Sequence, residues 1–354
     1  MKKKYLRLGL LGLGTLVEKR LFDVFTKELN NIKIIRVFDR DKKKTFKYSK
    51  LFKCEGAKNY REFFIDLDVD FVYIATPSGS HFVDVLNSFK VNKNVIVEKP
   101  PVLKVFQLQY LIKFANKKKL IFYTVFQNRY NSAVRILKKN FKKLNKEKII
   151  CTNLNLLWSR NQKYYSGWHG KWKTDGGVLS QQGIHFIDLL CYFLGTPKEC
   201  ASMAYKITNK LQAEDTHIGM IKFNLANCTF NLTTALKPND YKCEITFFFQ
   251  TKLIRLHGLC CNNIDIIYYK KTKKRNLEKS FKKSSIDVRN GFGLSHLVII
   301  KEIAKFYFKK KICKDFLARN SLDTLKLVHM LYKSASIKKF SNFNDSSFTS
   351  RLGN

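Results

Sequence analysis

Two patterns of apolar and polar positions succeed one another along the chain. Over roughly the first 125 residues, short apolar runs alternate with stretches of helical period. The runs Tyr5–Leu11, Lys33–Phe38, Phe71–Ala75, Asn94–Val97 and Leu120–Thr124 predict strands, and Leu16–Leu29, Ser80–Lys90 and Val105–Asn116 predict amphipathic helices between them. Strand–helix alternation of this kind builds a parallel, doubly wound sheet. Beyond about Asn128, segments rich in β-branched and aromatic residues follow closely on one another: Ile149–Trp158, Cys200–Thr208, Thr216–Asn224, Thr229–Leu236, Cys243–Phe249 and Leu253–His257. Hairpin-like breaks at Asn224 to Cys228 and at Lys237-Pro238-Asn239-Asp240 make the second sheet mostly antiparallel. Helices are expected at Leu179–Leu194, Phe292–Tyr307 and Ser321–Ser334, and an exposed basic loop over Lys270 to Lys283. The fold class is α/β, with a first domain at 1–125, a second at 126–340 and a polar tail at 341–354.

Composition alters this picture little. Lys and Arg number 67 against 27 Asp and Glu, a net charge of +40, but the basic runs are scattered and no nucleic-acid module accompanies them. The charge reads as a solvated surface that attracts anionic substrates. Nine cysteines with no Cys-x-x-Cys, and Cys260 adjacent to Cys261, suit neither a disulfide framework nor a zinc site, so no metal is expected and a reducing cytoplasm is. Met1-Lys2-Lys3-Lys4 before an apolar run resembles a signal peptide, but Arg7 interrupts the run and no cleavage pattern follows. No stretch approaches the roughly 20 apolar residues of a membrane helix.

The candidate chemistry falls in three places. Gly12-Leu-Gly14 follows the first strand and opens a helix through Thr15 and Leu16, a turn that brings backbone N–H groups to a pyrophosphate; Val17 stands at the third fingerprint position. Asp39 closes the next strand, where it would accept from ribose hydroxyls and favour NAD over NADP, with Arg40 and Lys42 to Lys44 softening that preference. Thr76-Pro77-Ser78-Gly79-Ser80-His81 after the third strand would line the same crevice, Ser80 serving equally as a helix N-cap. Glu98-Lys99-Pro100 ends a buried strand at the edge where open α/β sheets hold ligands. Downstream, Gly176-Gly177 enters a helix on which Gln181, His185 and Asp188 share a face.

In this order the elements resemble the Gfo/Idh/MocA oxidoreductases, as do Ala75 to His81 and Glu214-Asp215-Thr216. The resemblance implies a Rossmann domain that holds NAD (NADP not being excluded) and an α/β domain that carries the substrate site and often an oligomer interface. It implies catalytic roles for Lys99 and His185, with Glu98 and Gln127 among the cofactor ligands. Gln127 to Asn131 and Trp168-His169-Gly170-Lys171-Trp172 are similar to members acting on nucleotide-linked sugars, which places Arg129, Tyr165, Trp168, His169, Lys171 and Gln181 at the substrate. The expected activity is hydride transfer between nicotinamide and a hydroxyl-bearing carbon of an anionic sugar by a homo-oligomeric enzyme, with Asp188 either orienting His185 or bonding to backbone. The alternative is an inactive dinucleotide-bound sensor on the same fold. Two departures stand out: Gln181 occupies a position usually Asp or Asn, and Gln250-Thr251-Lys252 replaces the usual Gly-Lys-Gly.

Overall fold

A computed structural model describes residues 4–270, 275–288, 291, 293–344 and 350–354. The chain forms two compact units, Met1–Phe126 with Ser295–Leu322, and the remainder.

In the first unit, β1 (Leu6–Leu11), β2 (Ile32–Phe38), β3 (Glu55–Gly56), β4 (Phe71–Ile74), β5 (Asn94–Glu98) and β6 (Phe122–Val125) form one parallel sheet in the order β3-β2-β1-β4-β5-β6. The central strands are continuous apolar runs because both faces are covered: all four residues of β4 are buried, and Val95, Ile96 and Val97 of β5 have no exposed surface. Helices α1 (Lys42–Phe52), α2 (His81–Lys90) and α3 (Val105–Lys117) link the strands. The sequence reading missed α1, whose first turn is the triple lysine; the Asp41 carboxylate caps it by accepting from Lys43 N at 2.9 Å. The helix expected over Leu16–Leu29 is helical without a break from Thr15 to Glu28, with wide π-type turns at Val17–Leu21 and Val24–Glu28.

The second unit opens with α4 (Ser132–Leu144), also unforeseen, whose Val134, Leu137, Phe141 and Leu144 are buried at helical spacing. Its sheet comprises β7 (Ile149–Leu157), β8 (Pro197–Tyr205), β9 (Thr216–Phe223), β10 (Asn227–Thr233), β11 (Lys242–Phe249), β12 (Lys252–His257), β13 (Asn263–Tyr268) and β14 (Ser341–Asn342). The order is β13-β12-β11-β7-β10-β9-β8-β14, and every pairing but β7 with β10 is antiparallel. Alternation sets one face inward, as with Cys228, Phe230 and Leu232 on β10. Between β11 and β12, Thr251 N and Lys252 are both tied to Glu147, and none of Gln250, Thr251 and Lys252 takes a positive φ.

Helix α5 (Ile184–Leu194) lies between β7 and β8 in sequence, and α6 (Arg275–Ser284) packs on β13. The basic stretch expected as a loop is therefore helical from Arg275, while 271–274 lie outside the described residues. Helix α7 (Ser295–Phe308) belongs to the first unit, so the division is not the contiguous one expected; α8 (Leu322–Ile337) returns the chain to the second unit. The end of the chain is more than a polar tail: β14 pairs with β8, and Leu352 is buried. All nine cysteines are free thiols. Among the described residues no helix is long and apolar enough to cross a membrane.

Candidate active site

At the carboxyl end of β1, Gly12 has φ +91°, and a Cβ there would lie 2.7 Å from the Ala75 and Thr76 backbone. Only glycine permits that close crossing. Gly14 differs: an added Cβ would meet nothing within 4 Å, so the turn opens onto free space at the head of the following turn. Asp39, half-buried at the end of β2, accepts from Leu13 N at 2.8 Å and from Asp41 N at 2.9 Å. It therefore stitches the glycine turn while each carboxylate oxygen keeps a second acceptor site. Thr15 and Arg40 are exposed beside it, and Leu16 is half-buried.

Around the ends of β4 and β5 the structure corrects several expectations. The Thr76 hydroxyl donates to Asp84 at 2.6 Å, and Ser80 makes no side-chain cap. His81 is 1% exposed; its Nδ1 lies 2.7 Å from the Pro100 carbonyl and its Nε2 2.9 Å from that of Thr76. Burial pulls the ring's pKa down. His81 is thus a staple between two crevice loops. Glu98 is buried too: Tyr73 donates its hydroxyl to Oε1 at 2.6 Å, and Nε2 of His296, from α7, lies 3.4 Å away. Burial pushes this carboxyl up, but His296, Tyr73 and Lys99 together outweigh it and hold the group below its ordinary value. Glu98 is thus a buried negative charge next to Lys99 in the chain. Lys99 is half-buried and precedes a cis peptide bond to Pro100.

In the second unit a wide turn, Leu179–Gly183, leads directly into α5. Glu214 anchors this entry. Its carbonyl accepts from Val178 N at 2.9 Å, and its buried Oε1 accepts from Leu179 N at 3.1 Å and from the Tyr332 hydroxyl at 2.9 Å. His185 and Gln181 are half-buried on the resulting face, with the Gln181 amide 3.1 Å from Nδ1 of His169.

Asp188 does not orient His185. Its two oxygens take Nε and Nη2 of Arg129, at 2.7 and 2.6 Å, and the Thr324 hydroxyl at 2.8 Å. Burial opposes the Arg129 charge, but the Asp188 carboxylate outweighs it and raises the guanidinium's pKa. This bidentate pair ties the short turn Gln127–Tyr130 to α5 through Nε and Nη2 of Arg129. Tyr165 is 7% exposed, with its hydroxyl 2.7 Å from Thr234 Oγ1. Its neighbour Tyr164, which sequence reasoning passed over, stacks on His169 instead. Trp168 is half-buried, Lys171 exposed, and Gln127 buried with Oε1 unpartnered. Among the described residues no group of His, Cys, Asp or Glu side chains is arranged to hold a metal.

Two family models match the chain: an oxidoreductase family with an NAD-binding Rossmann fold over residues 6–126, and the same family's C-terminal α/β domain over 147–246. An oxidoreductase of Formosa agariphila is 27% identical over 53% of this chain and 60% of its own length. The dTDP-3,4-didehydro-2,6-dideoxy-α-D-glucose 3-reductase of Saccharopolyspora spinosa is 25% identical over 34% and 36%. The chain thus spans less than two thirds of the length of these relatives. Among solved structures, the WlbA dehydrogenase of Chromobacterium violaceum, in complex with NADH and UDP-GlcNAcA, matches with a TM-score of 0.88 at 23% identity, over 97% of both chains. Its Bordetella pertussis counterpart gives 0.88 at 20%, over 97% and 99%. Those likenesses establish the fold. With both family models matched in order on the two units, the chain belongs to the Gfo/Idh/MocA family of oxidoreductases.

Proposed function

We propose that the protein transfers a hydride between nicotinamide and a hydroxyl-bearing carbon of a sugar, with an anionic, nucleotide-linked sugar as substrate. The observation that carries the reading is the glycine crossing: Gly12 leaves no room for a side chain against Ala75 and Thr76, Gly14 faces open space, and Asp39 is tied to the same turn. That cradle suits a dinucleotide, held by the Gly12–Leu16 turn with Asp39 at its ribose. NAD, once bound, supplies the hydride acceptor at its C4.

The protein's own groups manage the proton and the charge. His185 takes the hydroxyl proton as general base, its ordinary pKa lying near neutrality. Lys99 stabilises the negative charge that develops on the reacting oxygen. Gln181 carries no titratable proton, so the acid–base work rests on His185 with Lys99. The WlbA complexes with UDP-GlcNAcA, the family membership and the net charge of +40 support the anionic sugar nucleotide. Mass spectrometry of the purified protein tests the whole reading: NAD(H) with a sugar nucleotide is expected to co-purify or to be retained when added. Retention of neither, with no turnover on a panel of sugars and sugar nucleotides, removes it.

A further inference from the structure

The loop that precedes the His185 helix holds a second histidine in a built environment. Nδ1 of His169 lies 2.7 Å from Oδ2 of Asp175. Tyr164 stacks on the ring at 4.1 Å with a 10° interplanar angle, and the Trp168 ring centroid is 3.8 Å away. Asp175 is 1% exposed, and its Oδ1 accepts from Gly170 N at 2.8 Å. A carboxylate buried so fully is costly unless its oxygens are paired, and here both are.

An ionised carboxylate only accepts, so Nδ1 of His169 carries a hydrogen. The Gln181 amide nitrogen is placed 3.1 Å from this Nδ1, and the amide fits a hydrogen there once it is flipped to turn its oxygen to the ring. The other ring nitrogen, Nε2, makes no hydrogen bond among the described residues. It is not one of their buried unpartnered atoms either, and the side chain keeps 19% of its surface exposed. One nitrogen is thus consumed by a buried partner and the other is left accessible.

We propose that Asp175 is a positioning residue that fixes the Nδ1–H form of His169 and so dedicates Nε2 to a hydroxyl of the bound sugar. The proposal rests on the sugar reading above. A hydroxyl both gives and takes hydrogen bonds, so it pairs with Nε2 in either protonation state of the ring. Gln181, four residues before His185, joins the dyad to the helix that bears the general base.

The decisive variant is Asp175→Asn. Gly170 N–H keeps the amide oxygen at the Oδ1 position, so the NH₂ faces Nδ1 and drives the ring into the opposite tautomer. Long-range ¹H–¹⁵N NMR of the full-length protein reads the tautomers of its seven histidines, and His169→Gln assigns the ring by loss of its signals. The expected result is a protonated Nδ1 in the wild type and an Nε2–H form in Asp175→Asn. A neutral Nε2–H ring in the wild type, or a folded Asp175→Asn protein with an unchanged spectrum, overturns the dyad. This readout needs no substrate, so it stands apart from the sugar reading. With UDP-GlcNAcA as the probe, His169→Gln and Asp175→Asn are each expected to raise KM about tenfold with kcat within about threefold. A fall in kcat at unchanged KM overturns the substrate contact, as does wild-type inactivity toward UDP-GlcNAcA, UDP-GlcNAc and free sugars. Should Asp175→Asn not fold, the wild-type spectrum and the kinetics of His169→Gln decide the proposal.

Discussion

At the scale of single residues, the proposed mechanism divides the site into groups that face reactants and groups that hold them. It assigns Lys99 to the first class. Lys99→Met is expected to lower kcat about 10²–10³-fold while dinucleotide affinity stays near wild type, because the lost contact forms mainly in the transition state. Fluorescence titration with NADH beside steady-state kinetics separates the two effects, and near-wild-type kcat sinks the role. His185→Asn is expected to cost about 10²–10⁴ in turnover and to flatten the pH–rate profile near neutrality. A variant that keeps both its rate and its pH dependence makes His185 a packing residue. Glu98 belongs to the second class. Its folded pKa is lowered, so its ionised form stabilises the fold above the ordinary carboxylate range, and that contribution fades as pH falls through the lowered value. Glu98→Gln is therefore expected to destabilise the protein at pH 7 by about 1–3 kcal/mol, with the gap closing in acid. Urea midpoints at both pH values measure it, and a gap independent of pH contradicts the assignment.

At the scale of elements, the entry to α5 is the most constrained piece of backbone in the second unit. A Cβ on Gly177 would collide with both the carbonyl and the carboxylate of Glu214, the two groups that anchor Val178 and Leu179. Gly177→Ala is expected to destabilise by about 1–3 kcal/mol, as forced overpacking does. It is also expected to lower turnover through displacement of His185. Equal denaturation midpoints for variant and wild type refute the packing argument. Periodicity made most strands and the helix of His185 legible, since each buries a continuous run or an alternate face. Helix α4 was equally legible from Val134, Leu137, Phe141 and Leu144, and Asp41 offers a cap signal for α1. The inner scaffolding of the site was not legible. His81 reaches Pro100 across 19 residues, Arg129 reaches Asp188 across 59 and Glu98 meets His296 from α7, and no local pattern encodes partners so distant. Such residues are polar and lie beside the crevice motifs, and burial ties them to these distant partners.

At the scale of the whole molecule, the return of Ser295–Leu322 to the first unit supplies what the Rossmann strands alone lack: a histidine against Glu98, and Leu317 bridged to Tyr123 on β6. The contiguous division at 125 was a natural reading, because nothing in the periodicity of a late helix reveals which sheet it covers. Net charge acts at this scale as well. The excess of 40 positive charges is spread over separate runs and raises the potential over the surface as a whole. With Nε and Nη2 of Arg129 engaged by Asp188, the proposed anionic substrate would be drawn chiefly by this general field. Fields of that kind act on encounter and are screened, the Debye length shrinking from about 30 Å at 0.01 M salt to about 3 Å at 1 M. kcat/KM for a UDP-sugar is therefore expected to fall about three- to tenfold between those limits, while kcat at saturation changes little. A neutral free sugar assayed in parallel should show no such slope. If the neutral sugar is preferred and ionic strength leaves both substrates unaffected, the anionic substrate is wrong and membership of the oxidoreductase family stands without it.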